Sequence, residues 1–245
     1  MPEPTEDADN LPVLIVGDVH GDIERLFQAL QPFPPDRWHT IFLGDLVDGG
    51  DYGVGALRYA HDRPNTTVLL GNHEVLMLWA LKEPALHSLW ASVGGQAHDL
   101  AELRKDQPLQ DWLRTRPLLA KLPDGTLVQH SDTDLYANLV VPSEVDVVER
   151  VNLNSRIVLD AHGYGELWDI LSPGRMFRAG RGRLEQWLQR TGSRRLVHGH
   201  VPHGKDKPDA YHDGLAISYD GGLSRYYGTR YRRRSPLAAS VGPLP

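Results

Sequence analysis

Three short apolar runs in the first third of the chain end in the same way, with glycine followed by a polar residue that carries an oxygen ligand. The runs are LPVLIVG, HTIFLG and NTTVLLG, and they end in Gly17-Asp18, Gly44-Asp45 and Gly71-Asn72. Each run is followed by a segment with helical periodicity, which is the alternation of an α/β protein. Because loops after parallel strands gather at one edge of a sheet, we expect these oxygen ligands to lie close together there.

The composition of the chain excludes several classes of protein. It has no cysteine, so disulfides, thiolate zinc sites and a cysteine nucleophile are excluded. No apolar run approaches the roughly 20 residues of a membrane-spanning helix. The acidic start MPEPTEDADN lacks the apolar core of a signal peptide. The formal net charge of -6 argues against a nucleic-acid-binding surface. We therefore expect a cytoplasmic protein with no membrane or nucleic-acid partner.

The segment pattern predicts one domain over residues 11–230, between a disordered tail at 1–10 and a C-terminal tail at 231–245. Stretches without strand patterns, near 82–117 and 143–175, are expected to form inserted helical cap segments. The tryptophans Trp79, Trp90 and Trp112 are interpreted as packing residues. A basic cluster near the C-terminus is interpreted as a solvated tail; it comprises Arg230, Arg232, Arg233 and Arg234.

Five further strands are predicted in the second half of the chain. LLAKLPDGTLVQH reads as a hairpin that turns at Asp124-Gly125. RRLVHGH follows an amphipathic helix, and GLAISYDG and LSRYYGT are expected as the last two strands.

Residues with metal-ligand chemistry recur at the ends of these predicted strands. They are Asp18, His20, Asp45, Asp48, Asn72, His73, His130, His198 and His200. Oxygen and imidazole ligands of this kind bind Mn²⁺, Fe or Zn²⁺. A lone Asp-x-His is weak evidence for a metal, but its repetition at successive strand ends favours a metal site.

The motifs GDVHGD, GDLVDGG, GNHE, VQH and GHVP together resemble those of the calcineurin-like metallophosphoesterases. Their spacing is most similar to the phosphoprotein phosphatase branch and its bacterial relatives. The resemblance covers most of the chain from Val13 to Gly228. It implies an α/β fold of two packed mixed β-sheets flanked by helices, with inserted helical cap segments.

The resemblance also implies roles for individual residues. Asp18, His20 and Asp45 would bind one metal ion, and Asp45 would bridge to a second ion held by Asn72, His130 and His200. Two such ions, with Mn²⁺ expected and Fe or Zn²⁺ as alternatives, can hold a phosphoryl group and activate a bridging water for in-line attack. His73 matches the general acid, and Asp48 matches the carboxylate that orients it.

The chain departs from the family pattern at Gly49, where the phosphoprotein phosphatases place a phosphate-binding arginine. Arg178, in MFRAG, resembles the second phosphate-binding arginine of the family and is the expected replacement, with Asn72 as a further phosphate contact. The nearby Arg175, Arg181 and Arg183 are equally well explained as solvated charges. His198 is expected in the core or behind the ligands, and for Asp132 a substrate contact and a turn role both stay open.

Three functions are consistent with these residues. The first is a metal-dependent phosphomonoesterase acting on phosphorylated proteins, at serine, threonine or tyrosine. The alternative is a hydrolase of diadenosine tetraphosphate or a similar dinucleotide, a small phosphoester substrate. A metal-free scaffold is the third, and the filled ligand positions argue against it. The oligomeric state is not predicted.

Overall fold

The computed structural model describes residues 11–226 and 236–245, and its core is a pair of β-sheets. The four-stranded sheet has the order β3-β2-β1-β9. Its strands are β1 (Val13–Val16), β2 (His39–Phe42), β3 (Thr66–Val68) and β9 (Val241–Pro243). The first three are parallel, with Val13 opposite His39 and Thr40 opposite Thr66, and β9 runs antiparallel to β1.

The second sheet has five strands in the order β4-β5-β6-β8-β7. These are β4 (Leu119–Lys121), β5 (Thr126–Gln129), β6 (Arg195–His198), β7 (Asp209–Tyr211) and β8 (Ala216–Ser218). Strands β4 and β5 form the predicted hairpin, and β5, β6 and β8 are parallel. Both sheets are therefore mixed, and the predicted α/β fold with two such sheets is confirmed.

The sheets pack face to face around an inner apolar cluster that takes residues from both of them. Ile15 and Ile41 come from the first sheet, and Val128, Val197 and Ile217 come from the second. Their neighbours along the strands point to the opposite faces, where they pack against helices in a larger cluster. Because both faces of each sheet are buried, the strands read as continuous apolar runs and not as alternating ones.

Helices cover the outer faces of the two sheets. They are α1 (Ile23–Leu30), α2 (Gly53–Asp62), α3 (Asn72–Lys82), α4 (His87–Ser92), α5 (Ala97–Leu103), α6 (Gln107–Arg114), α7 (Val147–Asp160), α8 (Tyr164–Leu171), α9 (Met176–Ala179) and α10 (Arg181–Thr191). Short 3-10 turns lie at Pro84–Leu86, Leu135–Leu139 and Leu237–Ala239. Helix α3 is apolar on nearly all sides and is buried, which places its first residues at the sheet edge. Within the part of the chain that the structure describes, no helix combines the length and hydropathy needed to cross a membrane.

Two predictions about the end of the chain are wrong. The tail predicted from residue 231 includes β9, because Val241–Pro243 pairs with β1 and Val241 is buried. The strand predicted from Leu223 is absent from its described residues, which turn towards the His20 loop, where the Ser224 hydroxyl donates to the His20 carbonyl. The predicted tail at 1–10 and the arginine cluster at 230–234 lie outside the described residues, and the domain boundaries stay predictions.

Candidate metal centre

The loops that follow β1, β2 and β3 meet at one edge of the first sheet, as parallel strands require. The loop after β1 carries Asp18 and His20, and the loop after β2 carries Asp45 and Asp48. Asn72 begins α3 directly after β3. All five side chains are buried, so polar groups that would ordinarily be hydrated are concentrated in one place.

The first group of donor atoms forms around His20. Its Nε2 lies 3.9 Å from Oδ2 of Asp18 and 4.0 Å from Oδ2 of Asp45. His73 joins the same group, since donor atoms of His20, Asp45 and His73 all lie within 4.8 Å of one another. Asp18 also accepts a hydrogen bond from the backbone N–H of His200 at 2.9 Å. The loops after β1 and β6 are thereby held together.

The second group of donor atoms brings the second sheet to the same edge. Nε2 of His130, which follows β5, lies 2.9 Å from Oδ1 of Asn72 and 3.4 Å from Oδ2 of Asp45. It is also 3.1 Å from Nδ1 of His200, which follows β6. Asp45, His130 and His200 can hold one ion, and Asp45 belongs to both groups. The geometry therefore suits the bridging position that the sequence resemblance implies for Asp45.

The charges at this edge fit a site for cations. In the described ranges, 11–226 and 236–245, the ion pairs of Asp18 and Asp45 involve imidazoles alone. Burial, together with Asp220 and Asp45, raises the pKa of Asp18. Burial and the charge of Asp45 raise the pKa of Glu74 to about 7. Bound cations would relieve this crowding of buried carboxylates. The oxygen and imidazole donors suit Mn²⁺, Fe or Zn²⁺ and do not select among them.

The backbone of the site is held in an unusual conformation. His20, Asp45, Asp48 and His200 all have positive φ, between 45° and 70°, although none is glycine. Such residues cost about 1–3 kcal/mol each and persist where surrounding contacts fix them. At Asp45 the contacts are known: its carbonyl accepts the N–H groups of His20 and Val19 at 2.9 and 3.0 Å.

Glu74 is the brace of the Asp45 loop, a role that sequence reasoning did not assign. Its buried carboxylate accepts the backbone N–H groups of Asp45 at 2.8 Å and Leu46 at 2.6 Å. It also accepts the N–H of Gly71, at 2.9 Å, from the loop that leads into α3. The available signal was its place in GNHE, three residues beyond the residue that precedes the helix. Glu74 thus ties the loops after β2 and β3 together.

The side chains of His73 and Asp48, which the sequence predicts to act as an acid pair, are in contact in the structure. Nδ1 of His73 lies 2.8 Å from Oδ2 of Asp48, and Nε2 of His73 faces Asp45 at 4.0 Å. Burial lowers the pKa of His73, but the charges of Asp45 and Asp48 outweigh it and bring the pKa to about 9. A cation bound at Asp45 would lower that pKa again. His73 is half-buried, so a substrate at this edge can reach it.

Trp90, expected from the sequence to be a packing residue, also makes a polar contact at the site. Its indole N–H donates to Oδ1 of Asp48 at 2.8 Å, and the ring is buried. No local sequence signal connects the two residues, because they lie 42 positions apart. Only the packing of α4 onto the Asp48 loop brings them into contact.

Arg178, the predicted phosphate-binding arginine, has other partners in the structure. Its guanidinium lies 3.0 Å from Oδ2 of Asp209 and 4.2 Å above the ring of Tyr211, both in β7. The Tyr211 hydroxyl in turn lies 2.8 Å from Nε2 of His198. Arg178 would have to leave Asp209 to bind a phosphate, and its predicted role stays untested.

Tyr226 takes up the space beside Gly49, where relatives place an arginine. A Cβ at position 49 would lie 3.0 Å from Cγ of Tyr226 and 3.3 Å from Cβ of His20. The backbone of Gly49 has φ of +85°, which side-chain-bearing residues rarely adopt. The missing arginine is thus matched by an aromatic ring packed on a glycine that has no room for a side chain.

His198 and Asp132 lie in the core behind the ligands. His198 is buried; its Nδ1 lies 2.9 Å from the carbonyl of Gly199 and its Nε2 lies 2.8 Å from the Tyr211 hydroxyl, so both ring nitrogens have partners outside the two donor groups. Asp132 is buried and accepts the backbone N–H of Arg175 through Oδ1. This contact supports a turn role for Asp132.

Curated relatives of the chain include bacterial enzymes named symmetrical bis(5'-nucleosyl)-tetraphosphatase. The protein from Glaesserella parasuis serovar 5 (strain SH0165) is 34% identical over 142 residues, which are 55% of this chain and 51% of that protein. The protein from Vibrio cholerae serotype O1 (strain ATCC 39541 / Classical Ogawa 395 / O395) is 34% identical over 110 residues, 44% of this chain and 39% of that protein. The matches thus span about half the length of these relatives or less.

Solved structures share the fold at low sequence identity. The cold-active protein-tyrosine phosphatase of a psychrophilic Shewanella species has a TM-score of 0.67 at 16% identity, covering 99% of this chain and 85% of that one. A putative diadenosine tetraphosphatase has a TM-score of 0.51 at 21% identity, covering 92% and 87%. At these identities the likeness concerns the fold alone.

The family comparison agrees with the motifs and with the geometry of the site. The sequence model described as calcineurin-like phosphoesterase matches residues 11–204, which carry all the donor residues described above. The predicted family is thereby confirmed, and the chain belongs to the calcineurin-like phosphoesterases.

Proposed function

We propose that the protein is a metal-dependent hydrolase that cleaves dinucleoside polyphosphates such as diadenosine tetraphosphate. The observation that carries a phosphoesterase is the arrangement at Asp45, whose Oδ2 is shared by two donor groups and faces the imidazole of His73. The substrate class is supported by relatives named symmetrical bis(5'-nucleosyl)-tetraphosphatase at 34% identity. This favours the dinucleotide alternative over the phosphoprotein substrate that we first expected, because the likeness to a tyrosine phosphatase is one of fold.

In this proposal the donor groups hold two metal ions. Asp18, His20 and Asp45 would hold the first ion, and Asn72, His130 and His200 would hold the second together with the shared Asp45. When bound, such ions would supply Lewis-acid chemistry, which can hold a phosphoryl group and lower the pKa of a bound water towards neutrality. We propose Mn²⁺ as the activating ion, with Fe or Zn²⁺ as the alternatives.

His73 and Asp48 act on the leaving group. Nδ1 of His73 donates to Asp48, so the proton on Nε2 faces the site, where it can pass to the oxygen that leaves phosphorus. Water supplies the oxygen that phosphorus gains, and His73 regains its proton from solvent. Central cleavage of diadenosine tetraphosphate would consume one water molecule and release two molecules of ADP.

The test is product analysis with added Mn²⁺, using diadenosine tetraphosphate and a phosphopeptide as separate substrates. We expect ADP from the dinucleotide, and we expect Asp45→Asn to lose bound metal and activity together. His73→Asn should keep the metal and lose activity by about 10²-fold or more. Asp36→Asn, at an exposed position, serves as the matched control and should behave as wild type.

The other outcomes separate the alternatives. Turnover of the phosphopeptide alone would restore the protein phosphatase hypothesis. Bound metal without either activity would mean that the substrate class is wrong. A wild-type protein that binds no metal by elemental analysis would support the scaffold hypothesis.

A further inference from the structure

The inserted helix α4 carries the only described group, apart from His73, that hydrogen-bonds the side chain of Asp48. Trp90 Nε1 lies 2.8 Å from Oδ1 of Asp48, and His73 Nδ1 lies 2.8 Å from Oδ2. Asp48 is fully buried, so solvent does not compete for either oxygen. Each oxygen of this carboxylate therefore has one fixed partner, one on either side.

The segment that carries Trp90 is fastened to the Asp48 loop at further points. The carbonyl of Gly94 accepts the N–H of Gly49 at 2.8 Å. Gly95 packs against the indole, since an added Cβ there would overlap ring atom Cδ2 of Trp90. Asp99, in α5, accepts the N–H of Gly53 at 2.9 Å. The indole contact thus belongs to an interface built between the insertion and the loop.

An indole N–H suits this position because it can only donate. The indole N–H of tryptophan can donate a hydrogen bond but cannot accept one. It therefore faces a lone pair of a carboxylate oxygen and never the hydrogen of a protonated carboxyl group. A carboxylate turns easily about its last torsion, since terminal sp³–sp² torsions are broad. Fixing one oxygen by Trp90 therefore fixes where the other oxygen meets His73.

We propose that Trp90 is a positioning residue for the acid step: its indole N–H holds Asp48 so that His73 keeps one tautomer and one orientation towards the leaving oxygen. The inference rests on the proposed function for its chemistry, and it assigns to the insertion a part in catalysis. It would make the acid step depend on the docking of residues 87–99 onto the Asp48 loop.

The kinetic test compares substrates that need the acid with substrates that do not. Phenyl phosphate has a poor leaving group, and 2,4-dinitrophenyl phosphate has a good one that departs without a proton. For Trp90→Phe we expect kcat to fall about 10-fold on phenyl phosphate and less than about 2-fold on 2,4-dinitrophenyl phosphate. The control is Trp187→Phe, which removes a second buried indole N–H, bonded to Gln129 at 2.9 Å, and should change neither rate.

A spectroscopic test does not depend on activity. In metal-free protein labelled with ¹⁵N, the Trp90 indole signal is identified by its loss in Trp90→Phe. We expect that signal to move in Asp48→Asn while the Trp187 signal stays, and we expect the His73 imidazole ¹⁵N signals to move in Trp90→Phe. Replacing residue 90 by benzothienylalanine keeps the ring shape and removes only the N–H, should Trp90→Phe fold poorly.

The results separate this inference from the proposed function. Equal losses on both aryl phosphates, or no loss on either, would overturn the positioning role of Trp90. Hydrolysis of aryl phosphates without cleavage of diadenosine tetraphosphate would contradict the dinucleotide substrate and leave the positioning role of Trp90 unaffected. If the wild type hydrolyses neither the aryl phosphates nor diadenosine tetraphosphate, the spectroscopic test decides. Unmoved His73 signals in Trp90→Phe would then overturn the inference, and moved signals would support the positioning contact.

Discussion

Individual residues at the candidate metal centre are held in backbone conformations that residues with side chains rarely adopt. His20, Asp45, Asp48 and His200 have positive φ, and Gly49 continues this conformation directly after Asp48. Hydrogen bonds from neighbouring segments hold these conformations in place, as the carboxylate of Glu74 in α3 does at Asp45. Orienting the donor atoms in this way costs stability. Substitutions at residues that hold the loops, such as Glu74, should show how much free energy of unfolding depends on these contacts.

Gly49→Ala should destabilise the protein more than the positive φ alone explains. The new Cβ would lie 3.0 Å from the Tyr226 ring, in addition to the strain at φ of +85°. Gly214 offers the matched control, since it has φ of +84° with no atom within 4 Å of an added Cβ. We expect Gly214→Ala to cost about 1 kcal/mol and Gly49→Ala about 2 kcal/mol or more, by urea unfolding. Equal costs would contradict the packing of Tyr226 on Gly49.

Glu74→Gln should loosen the loop after β2. The amide has one acceptor oxygen, and its NH₂ group would face backbone N–H donors that the carboxylate now accepts. We expect a loss of about 2–4 kcal/mol in the free energy of unfolding, together with weaker metal binding. Calorimetry with Mn²⁺ and urea unfolding measure both. Glu185→Gln, in an exposed pair with Arg181, should hardly change the free energy of unfolding. A similarly small change for Glu74→Gln would contradict the role of Glu74 in holding the Asp45 loop.

At this scale the motif residues were predictable and their neighbours were not. Asp18, His20 and Asp45 could be named because strand ends place their chemistry at fixed spacing. The contacts of Trp90 and Tyr226 could not be predicted, because they depend on how distant segments pack. Arg178 was assigned because MFRAG resembles a family motif, and nothing in that motif shows that Asp209 lies beside the guanidinium.

Among the elements, the hairpin of β4 and β5 is fixed to β6 by a charged turn. Oδ1 of Asp124 accepts the N–H of Thr126 at 2.9 Å, and its Oδ2 lies 2.8 Å from Arg194 and 3.0 Å from Arg195. Burial alone would raise the pKa of Asp124, but these partners outweigh it and lower the pKa to about 2. The turn carboxylate therefore stabilises the folded protein only while it is ionised.

The sign of the pH dependence follows from that depressed pKa. The stabilisation is fully present above the unfolded value near 3.8 and is lost as the pH falls towards about 2. Asp124→Asn keeps the acceptor for Thr126 and removes the charge. We expect it to lower stability at pH 7 by less than about 1 kcal/mol, since the side chain is partly exposed, and the difference from wild type should shrink at pH 3. Urea unfolding at both pH values, with Asp36→Asn as the charge control, checks this; a difference that grows at pH 3 would contradict it.

Strands were predictable where burial of both faces makes every position of the strand apolar. Val13–Val16 is apolar at every position because both of its faces are covered. Val241–Pro243 is a three-residue strand that contains glycine and proline, and it carries no such signal. Its pairing with β1 depends on a contact between the two ends of the described chain, which local periodicity does not report.

For the molecule as a whole, this terminal strand covers the edge of the sheet that bears the candidate metal centre. Val241 pairs with Val16, two residues before Asp18, and the Tyr219 hydroxyl donates to the carbonyl of Pro243 at 2.8 Å. Without β9, the edge of β1 would present unpaired backbone groups, which favour association between chains. The stability of the sheet and the placement of Asp18 should therefore depend on the last residues.

Removal of residues 241–245 should destabilise the protein and weaken metal binding together. Val241 is buried, so its loss alone removes about 1.5–3 kcal/mol of apolar burial, before the lost ladder hydrogen bonds are counted. We expect a lower Tm, more aggregation by light scattering and a lower Mn²⁺ content. Val241→Ala, which keeps the strand backbone, should cost about 1.5 kcal/mol and tests the same contact if the shortened protein does not fold. Removal of the exposed Pro245 alone should change nothing. If the shortened protein keeps wild-type stability but loses metal, β9 would act on the site without supporting the sheet, whereas retention of both properties would show that β1 holds the centre unaided.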